Sequence, residues 1–192
     1  MTRFNYPDTT SWEDWQNEYK FGALYIFPPE GVIEPVDELR RKHDPKSHSY
    51  SQAHISLSEP LKGPLTEDQL KELQAALAAL EPFEIKYGPL RSFPPYPGVT
   101  YAISPEDEFM NLRKLVHSTS LFKDTPLNHE HIAPHMTVAE FITAEDTNRL
   151  LQELNGKVPE GTFLNGAIEY AIPNEDFYFE RVFTIPLGKE SE

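Results

Sequence analysis

The chain has 192 residues, of which 39% are hydrophobic and 25% are charged, so it can bury the core of one domain or of two small lobes that share a core. Its 17 basic and 31 acidic side chains give a formal net charge of −14, which disfavours general nucleic-acid binding because phosphate contacts need clustered Lys and Arg. A local basic pocket for one small phosphate remains compatible with this charge. The absence of Cys excludes disulfides, thiol nucleophiles and thiolate metal sites.

No segment has the pattern of a targeting peptide or a membrane span. The N-terminal stretch MTRFNYPDTTSWEDWQ lacks an apolar core of signal-peptide length, and no apolar run is long enough to cross a bilayer. We therefore expect a cytoplasmic protein that does not bind membranes.

The first half of the chain predicts alternating helices and strands. Segment 11–19 is rich in aromatic residues and predicts a short helix, with Ser11 as N-cap and Asp14 at the capping-box position. In the clearest helix, over 65–80, Thr66 can act as the cap and the leucines fall on one face. The other predicted elements are, in order, a strand over 22–27, a helix over 34–44, and strands over 51–58, 83–90 and 98–104.

The second half predicts a helix over 106–122 and then repeats the order of elements that begins at 51. A strand over 131–141 is followed by a helix over 143–156 that Thr143 can cap, and by strands over 162–172 and 177–186. Each series opens with a strand that carries His-x-Ser/Thr. The chain therefore contains an internal repeat that begins near residues 51 and 131.

The two His-x-Ser/Thr motifs are HISL, with His54 and Ser56, and HMTV, with His135 and Thr137. Because side chains two apart in a strand share a face, each motif places an imidazole beside a hydroxyl. The apolar residues between and after them point to the opposite, buried face. If the two halves pack around a pseudo-two-fold axis, both pairs of side chains converge on one cleft.

Two imidazoles across a cleft suit acid–base chemistry on a phosphodiester. One neutral His can accept a proton from the attacking oxygen while the other, protonated, donates to the leaving oxygen. The hydroxyls can donate hydrogen bonds to the phosphoryl oxygens. A single motif is weak support, since His117 and Thr119 have the same spacing in a predicted helix, but two copies in the same strand context favour a functional site.

With these motifs, and with the Pro that precedes the second, the chain resembles the two-histidine (2H) phosphoesterase superfamily, which includes 2'-5' RNA ligase-like proteins and cyclic nucleotide phosphodiesterases. The resemblance runs from the segment FGALYIF to RVFTIPLG. It implies a bilobal α+β fold in which two antiparallel β-sheets form a central cleft with helices on the outside. We expect residues 21–192 to form this single domain with interleaved lobes, and residues 1–20 to be an N-terminal extension.

The resemblance also implies metal-independent cleavage, or reversible ligation, of bonds to a ribose 2'-oxygen, without a cofactor. Typical substrates would be 2',3'-cyclic phosphates, ADP-ribose 1'',2''-cyclic phosphate or 2'-5' linked oligonucleotides. Carried onto this chain, it makes His54 and His135 the acid–base pair and Ser56 and Thr137 the phosphate-binding residues. We expect a monomer whose partner is a small nucleotide or an RNA end, and not DNA.

Weaker substrate-binding candidates lie on predicted strands. Tyr25, Tyr101 and Phe179 could stack on a base, although aromatic residues in strands more often belong to the core. Arg181 could contact phosphate or pair with a nearby acid. Arg91 and Lys86 are weaker candidates still.

Two alternatives remain open at this point. His129, His131 and His135 occupy alternate positions and could bind zinc as part of a metal-dependent hydrolase. Pro134 and the loop-like PLNHEH segment instead favour a solvated loop for the first two. The other alternative is a non-catalytic module of the same fold that binds a nucleotide or RNA without turnover.

Overall fold

The computed structural model describes residues 4–125, 127 and 132–188. The helices are α1 (Glu30–His43), α2 (Pro45–His48), α3 (Glu67–Leu77), α4 (Glu106–His117) and α5 (Ala144–Leu154). The strands are β1 (Ala23–Ile26), β2 (Ile55–Ser56), β3 (Phe83–Phe93), β4 (Tyr96–Ser104), β5 (His135–Ala139), β6 (Gly161–Asn165), β7 (Ala167–Pro173) and β8 (Phe179–Pro186). Two 3₁₀ segments cover Asp14–Tyr19 and Ser120–Phe122.

All strands join one antiparallel sheet in the order β6-β3-β4-β5-β2-β1-β7-β8. Its two four-stranded halves meet at β2 and β5, where Ile55 lies opposite Met136. The predicted α+β class, with antiparallel sheets and helices, is confirmed, and the two predicted sheets are continuous as halves of one. This order places the two motif strands side by side at the centre of the sheet.

The predicted helix caps are confirmed where the sequence signals were strongest. The Thr66 hydroxyl accepts a hydrogen bond from the backbone N–H of Gln69, whose side chain in turn accepts one from the Thr66 N–H. The Thr143 hydroxyl accepts from the backbone N–H of Asp146. Each cap satisfies a backbone donor that the first helical turn leaves free, which typically stabilises a protein by about 1 kcal/mol.

Several predicted boundaries are wrong. The segment after Ser11 forms a 3₁₀ turn whose capping box uses Glu13 and Gln16, so Ser11 and Asp14 do not have the predicted roles. Helix α1 begins at Glu30, four residues early, because its buried apolar residues begin before Pro35. The helix predicted over 106–122 ends at His117 and is followed by a separate 3₁₀ turn.

Both motif strands are six residues shorter than predicted: β2 is predicted over 51–58 and spans two residues, and β5 is predicted over 131–141 and spans five. The alternation that the motif predicts is nevertheless confirmed. Ile55, Leu57, Met136 and Val138 are fully buried in the main hydrophobic core. Ser56 is exposed and both motif histidines are half-buried on the opposite face.

The described part of the N-terminal segment packs against the rest of the chain. The backbone N–H of Leu65 donates to the hydroxyl of Tyr6 (2.9 Å), and the rings of Phe4 and Tyr170 meet edge to face at 5.0 Å. Trp12 Nε1 donates to the carbonyl of Glu175 (2.9 Å). These contacts place the Asp14–Tyr19 turn near the face of the sheet that carries the motif histidines.

Within the described residues, every helix is too short or too polar to cross a membrane.

Candidate active site

Both motifs open on one cavity on the polar face of the central strands. The cavity has a volume of about 400 Å³ and is lined by His54, Ser56 and His135, among others. Thr137 lies two residues beyond His135 on the same face of β5 but is not among the described residues that line the cavity. Three of the four predicted motif side chains therefore line one cavity, and the fourth lies next to it on the same strand face.

The pairing of the motif strands explains this convergence. Ile55 lies opposite Met136 in antiparallel register. If that register is extended by one residue in each direction, His54 lies opposite Thr137 and Ser56 lies opposite His135. Residues that lie opposite each other share a face of the sheet. Each imidazole is thus paired with the hydroxyl residue of the other motif as well as with its own.

The two imidazoles are oriented by equivalent hydrogen bonds. His54 Nδ1 lies 2.8 Å from the carbonyl oxygen of Gln52, and His135 Nδ1 lies 3.0 Å from that of Ala133. Because a carbonyl oxygen can only accept, Nδ1 carries the proton in both rings, and Nε2 is the atom that can exchange a proton with a bound molecule. His54 Nδ1 is also 3.2 Å from the Ser51 hydroxyl.

Both imidazoles are harder to protonate than a histidine in water. Burial, followed by the positive charge of Arg40, lowers the pKa of His54 from 6.5 to about 4, and the carbonyl of Gln52 opposes this shift. Burial is also the main cause that lowers the pKa of His135, to which the charges of Arg91 and Arg113 add. At neutral pH both rings are therefore uncharged in the absence of a bound anion.

Two of the four weaker candidates lie at the cavity. Tyr25 is opposite Ser56 in the β1–β2 pairing, and its ring meets that of His54 at 4.8 Å. Phe179 contacts Tyr25, with ring centroids 5.6 Å apart. Both residues line the cavity.

The structure does not bring Tyr101 and Arg181 to the cavity. Tyr101 is opposite Met136 rather than His135, so it lies on the core face, 0% exposed and packed against Tyr87. Arg181 lies on β8, where its Nη2 is 3.2 Å from a carboxylate oxygen of Glu30. This ion pair is the second of the two roles that the sequence leaves open for Arg181.

The zinc interpretation depends on two residues that the structure does not describe. His129 and His131 lie outside the described residues. Among the residues that are described, no group of three or more His, Asp or Glu side chains is placed to hold a metal ion. His135, the third member of that set, directs its Nδ1 to the carbonyl of Ala133.

Comparison with known proteins identifies the family. The profile of the 2'-5' RNA ligase superfamily matches residues 28–172. The chain belongs to this superfamily. A protein of Bacillus cytotoxicus that bears the provisional name of a phosphoesterase is 27% identical over 177 residues, which cover 88% of this chain and 98% of that protein.

Solved crystal structures share the fold of this chain. Apo Escherichia coli LigT superimposes with a TM-score of 0.57 at 13% identity, over 87% of this chain and 96% of LigT. The protein TT0787 of Thermus thermophilus gives a TM-score of 0.52 at 16% identity, over 88% and 98% of the two chains. These similarities show that the chain has a LigT-like fold.

One side of the cavity is built partly from residues outside the superfamily match. We call it the aromatic wall, which comprises Trp15, Tyr19, Tyr50, Phe141 and Phe177. Phe177 is at its centre, with its ring centroid 5.2 Å from that of Trp15 and 5.3 Å from that of Tyr50. The wall was not predicted as a unit, although the aromatic-rich segment 11–19, which contributes Trp15 and Tyr19, was recognised from the sequence.

The backbone of Phe177 indicates that the wall is held in place by its surroundings. Its φ of +62° is uncommon for a residue with a bulky side chain and costs roughly 1–2 kcal/mol. The preceding turn stabilises it: the Phe177 N–H donates to the Asn174 carbonyl, and the Asn174 side-chain oxygen accepts from the N–H groups of Asp176 and Tyr178. This conformation points the ring into the aromatic cluster.

Two carboxylates also line the cavity, and sequence reasoning did not single them out. Glu59 and Glu140 each lie five residues after a motif histidine, in HISLSE and HMTVAE. A carboxylate oxygen of Glu140 accepts from the Ser47 hydroxyl at 3.0 Å. Alignment of the two halves of the repeat would have revealed this pair.

Proposed function

We propose that this protein is a metal-independent 2H phosphoesterase that hydrolyses, or reversibly ligates, 2',3'-cyclic phosphate or 2'-5' phosphodiester bonds of small nucleotides or RNA ends. The observation that carries the proposal is the convergence of His54 and His135 on one cavity with equivalent orientation. Each ring anchors Nδ1 on the carbonyl two residues earlier and leaves Nε2 for a substrate.

The chemistry needs only two proton transfers. For a 2',3'-cyclic phosphate, the neutral imidazole takes a proton from water as the water oxygen forms a bond to phosphorus. The protonated imidazole donates its proton to the ribose oxygen as the bond from that oxygen to phosphorus breaks. The two rings end with their protonation states exchanged and re-equilibrate with solvent. In ligation a 5'-hydroxyl takes the place of water: its oxygen bonds to phosphorus as the bond to the 3'-oxygen breaks, which leaves a 2'-5' phosphodiester. The reverse of that step, attack by the 3'-hydroxyl, cleaves a 2'-5' phosphodiester to the 2',3'-cyclic phosphate.

Substrate binding raises the pKa of at least one ring. Because both pKa values are lowered in the free protein, the acid form must be favoured by the negative charge of the bound phosphodiester. In this proposal Ser56, which lines the cavity, donates a hydrogen bond to a phosphoryl oxygen, and Thr137 on the neighbouring strand makes a second, weaker contact with the phosphate. These hydroxyls stabilise charge that develops in the transition state.

The size and charge of the site favour a small nucleotide. A cavity of about 400 Å³ lies in the range of sites for small ligands. The net charge of −14 and the carboxylates of Glu59 and Glu140 disfavour a long polyanion. Escherichia coli LigT has been crystallised with 3'-AMP, ATP and NADP⁺, and this supports a nucleotide ligand here.

The base would bind against aromatic faces. Tyr25 packs against His54 and Phe179 packs against Tyr25, and Trp15 and Phe141 of the aromatic wall are exposed at the cavity. Stacking on such residues contributes about 1–3 kcal/mol per base and tolerates different bases.

The test is turnover of 2',3'-cyclic mononucleotides and short 2'-5' oligonucleotides in EDTA, followed by phosphorus NMR. We expect hydrolysis by the unmodified protein and none by the His54→Ala, His135→Ala double variant. His43→Gln is the matched control, because His43 lies at the end of α1 and does not line the cavity. Saturable binding without product would instead establish a non-catalytic nucleotide-binding module, and loss of activity in EDTA would establish a metal-dependent hydrolase.

A further inference from the structure

Two buried arginines connect outer helices to the motif strands. Arg40 on α1 is 1% exposed, and Arg113 on α4 is 5% exposed. A buried guanidinium is costly unless its donors are satisfied, so the groups that accept its hydrogen bonds indicate its role. In both residues most of these acceptors are backbone carbonyls of the two motif regions.

Arg40 spans both motifs. Its Nη1 donates to the carbonyl of Thr137 (3.1 Å), which is the hydroxyl residue of the second motif. Its Nη2 donates to the carbonyl of Ser51 (3.0 Å), three residues before the histidine of the first motif, and to that of Ser47 (2.9 Å). Its Nε lies 3.2 Å from a carboxylate oxygen of Asp37 on the same helix, an ion pair whose geometry does not make a hydrogen bond.

Arg113 makes the same connections with the motifs exchanged. Its Nη2 donates to the carbonyl of Ser56 (3.0 Å), the hydroxyl residue of the first motif, and its Nε donates to that of Leu57 (3.1 Å). Its Nη1 donates to the carbonyl of Ile132 (3.0 Å), three residues before the histidine of the second motif. The two arginines are therefore related by the same internal symmetry as the motifs.

This arrangement compensates for a weak junction in the sheet. Ile55 and Met136 form the one register pair between β2 and β5 in the part of the chain that the structure describes. A short ladder leaves carbonyls at its ends without strand partners. The planar guanidinium has five donors in a fixed geometry, so it can bind carbonyls of both strands at once, which a lysine ammonium on a flexible stem does less well.

We infer that Arg40 and Arg113 are a pair of positioning residues that hold the two His-x-Ser/Thr motifs in register with each other, each through the backbone of both motifs. They set the distance and angle between the histidines. Arg40 does this without lining the cavity, whereas Arg113 also lines it. The structural part of this inference stands by itself, whereas its catalytic consequence rests on the proposed function.

The charges around the two rings support the pairing. The positive charge of Arg40 contributes to the lowered pKa of His54, and that of Arg113 contributes to the lowered pKa of His135. Each arginine therefore lies close to a different imidazole. The other charged groups that act on the rings are His135 on His54, and Arg91 on His135.

The test uses Arg40→Lys and Arg113→Lys, which retain the positive charge but lose the planar guanidinium and its fixed set of hydrogen-bond donors. Arg41→Lys, on the exposed face of the same helix as Arg40, is the matched control. Backbone amide hydrogen exchange compares β2 and β5 with the remote β7–β8 pair, and kcat and KM are measured on a 2',3'-cyclic mononucleotide. Since a small displacement of reacting groups can cost about 10²-fold, we expect kcat to fall about 10- to 100-fold in both variants. In Arg40→Lys, which changes a residue that does not line the cavity, KM should stay within about threefold.

Exchange should accelerate in β2 and β5 and remain unchanged in β7 and β8, because only the junction between the motifs is loosened. Unchanged exchange at β2 and β5 in a folded variant would overturn the inference. Uniform acceleration across all four strands would also overturn it, because it indicates a merely structural role. If the unmodified protein has no turnover, the proposed function fails, and the exchange pattern alone decides the role of the arginines.

Asp37→Asn is the second variant, for use if a lysine variant does not fold. Asp37 forms the ion pair with Arg40 and accepts from the Ala53 N–H at 2.9 Å, and the asparagine oxygen can keep the latter contact. We expect the same local acceleration of exchange in β2 and β5 and a smaller decrease in kcat. Wild-type exchange in this variant would contradict the inference.

Discussion

The two motif strands have the same local chemistry in different surroundings. Both histidines hold Nδ1 on the carbonyl two residues earlier, and both strands receive guanidinium hydrogen bonds. The His54 ring packs against Tyr25 and Phe27, whereas the His135 ring lies 4.3 Å from that of Phe93. Ser56 is exposed to the cavity, and Thr137 is half-buried beside it.

Some properties of the motifs are the same in both halves, and others depend on the surroundings of each motif. The repeat determines orientation, because the same spacing in a strand leads to the same hydrogen bond and the same face. The environment determines proton affinity and access, because burial and neighbouring charge differ between the halves. If this is correct, the two motifs should be equivalent in the orientation of their side chains and different in proton affinity and in access to the cavity.

The largest expected effect is loss of either histidine, because each proton transfer has one imidazole. We expect His54→Ala and His135→Ala each to lower kcat/KM by about 10²- to 10⁴-fold. The double variant should be little worse than either single variant, since the two rings act as a unit. Steady-state kinetics on a 2',3'-cyclic mononucleotide measures this, and full additivity would show that the halves act independently.

Substitution of the two hydroxyl residues should lower kcat unequally, whereas substitution of the two histidines should have similar effects. Ser56 lines the cavity and Thr137 does not, so Ser56→Ala should lower kcat about 10- to 100-fold, and Thr137→Val should lower it by less. The measurement is kcat for the two variants side by side, with melting temperature as the control for folding. A larger effect at Thr137 would reverse the assignment of the main phosphate contact.

The pH dependence of kcat/KM should lie on the acid side of neutrality. Activity of the free enzyme needs one neutral and one protonated ring, and the pKa of His54 is lowered to about 4 while that of His135 is lowered from 6.5. Therefore kcat/KM should rise as pH increases through about 4, and it should fall as pH rises through the pKa of His135, which lies below 6.5. The profile is the same whichever ring is the acid.

Proton NMR titration of the two rings makes the comparison direct. His54, whose shift is the larger, should titrate at lower pH than His135. Variants that lack one histidine assign each signal. If the order of the two midpoints were reversed, burial would not be the cause of the difference between the halves.

The smallest expected effect on catalysis comes from the aromatic wall, which lies on one side of the cavity. Phe141 follows the second motif at the position where Pro60 follows the first, and both line the cavity. Trp15→Leu should raise KM about tenfold through lost stacking on the base, with kcat within about twofold. This change is predicted for substrates with a base and not for a cyclic phosphate of ribose alone.

Trp15 also reports on binding by its own fluorescence. The chain has two tryptophans, and Trp12 is held by its hydrogen bond to the carbonyl of Glu175. In Trp12→Phe, titration with 3'-AMP should change the emission of Trp15. In Trp15→Phe, the same titration should leave the emission of Trp12 nearly constant, and an equal response of both would place the base elsewhere.

Two tyrosines show how far sequence reasoning reached. Tyr25 and Tyr101 both lie on strands among apolar residues, and both were candidates to stack on a base. Tyr25 pairs with Ser56 and faces the cavity, whereas Tyr101 pairs with Met136 and is enclosed in the core. Which strand lies beside which, and in what register, is a long-range property that the local pattern around each tyrosine does not contain.

The sequence by itself determined the features that depend on neighbours a few residues away. These are the caps at Thr66 and Thr143, the shared face of each His and hydroxyl, and the repeat that indicated two halves of a site. Only the tertiary structure decided which distant groups meet there: the arginines that join the motifs and the aromatic wall. The reason is physical, since strand alternation and capping are local, whereas register and burial arise when segments far apart in the chain pack together.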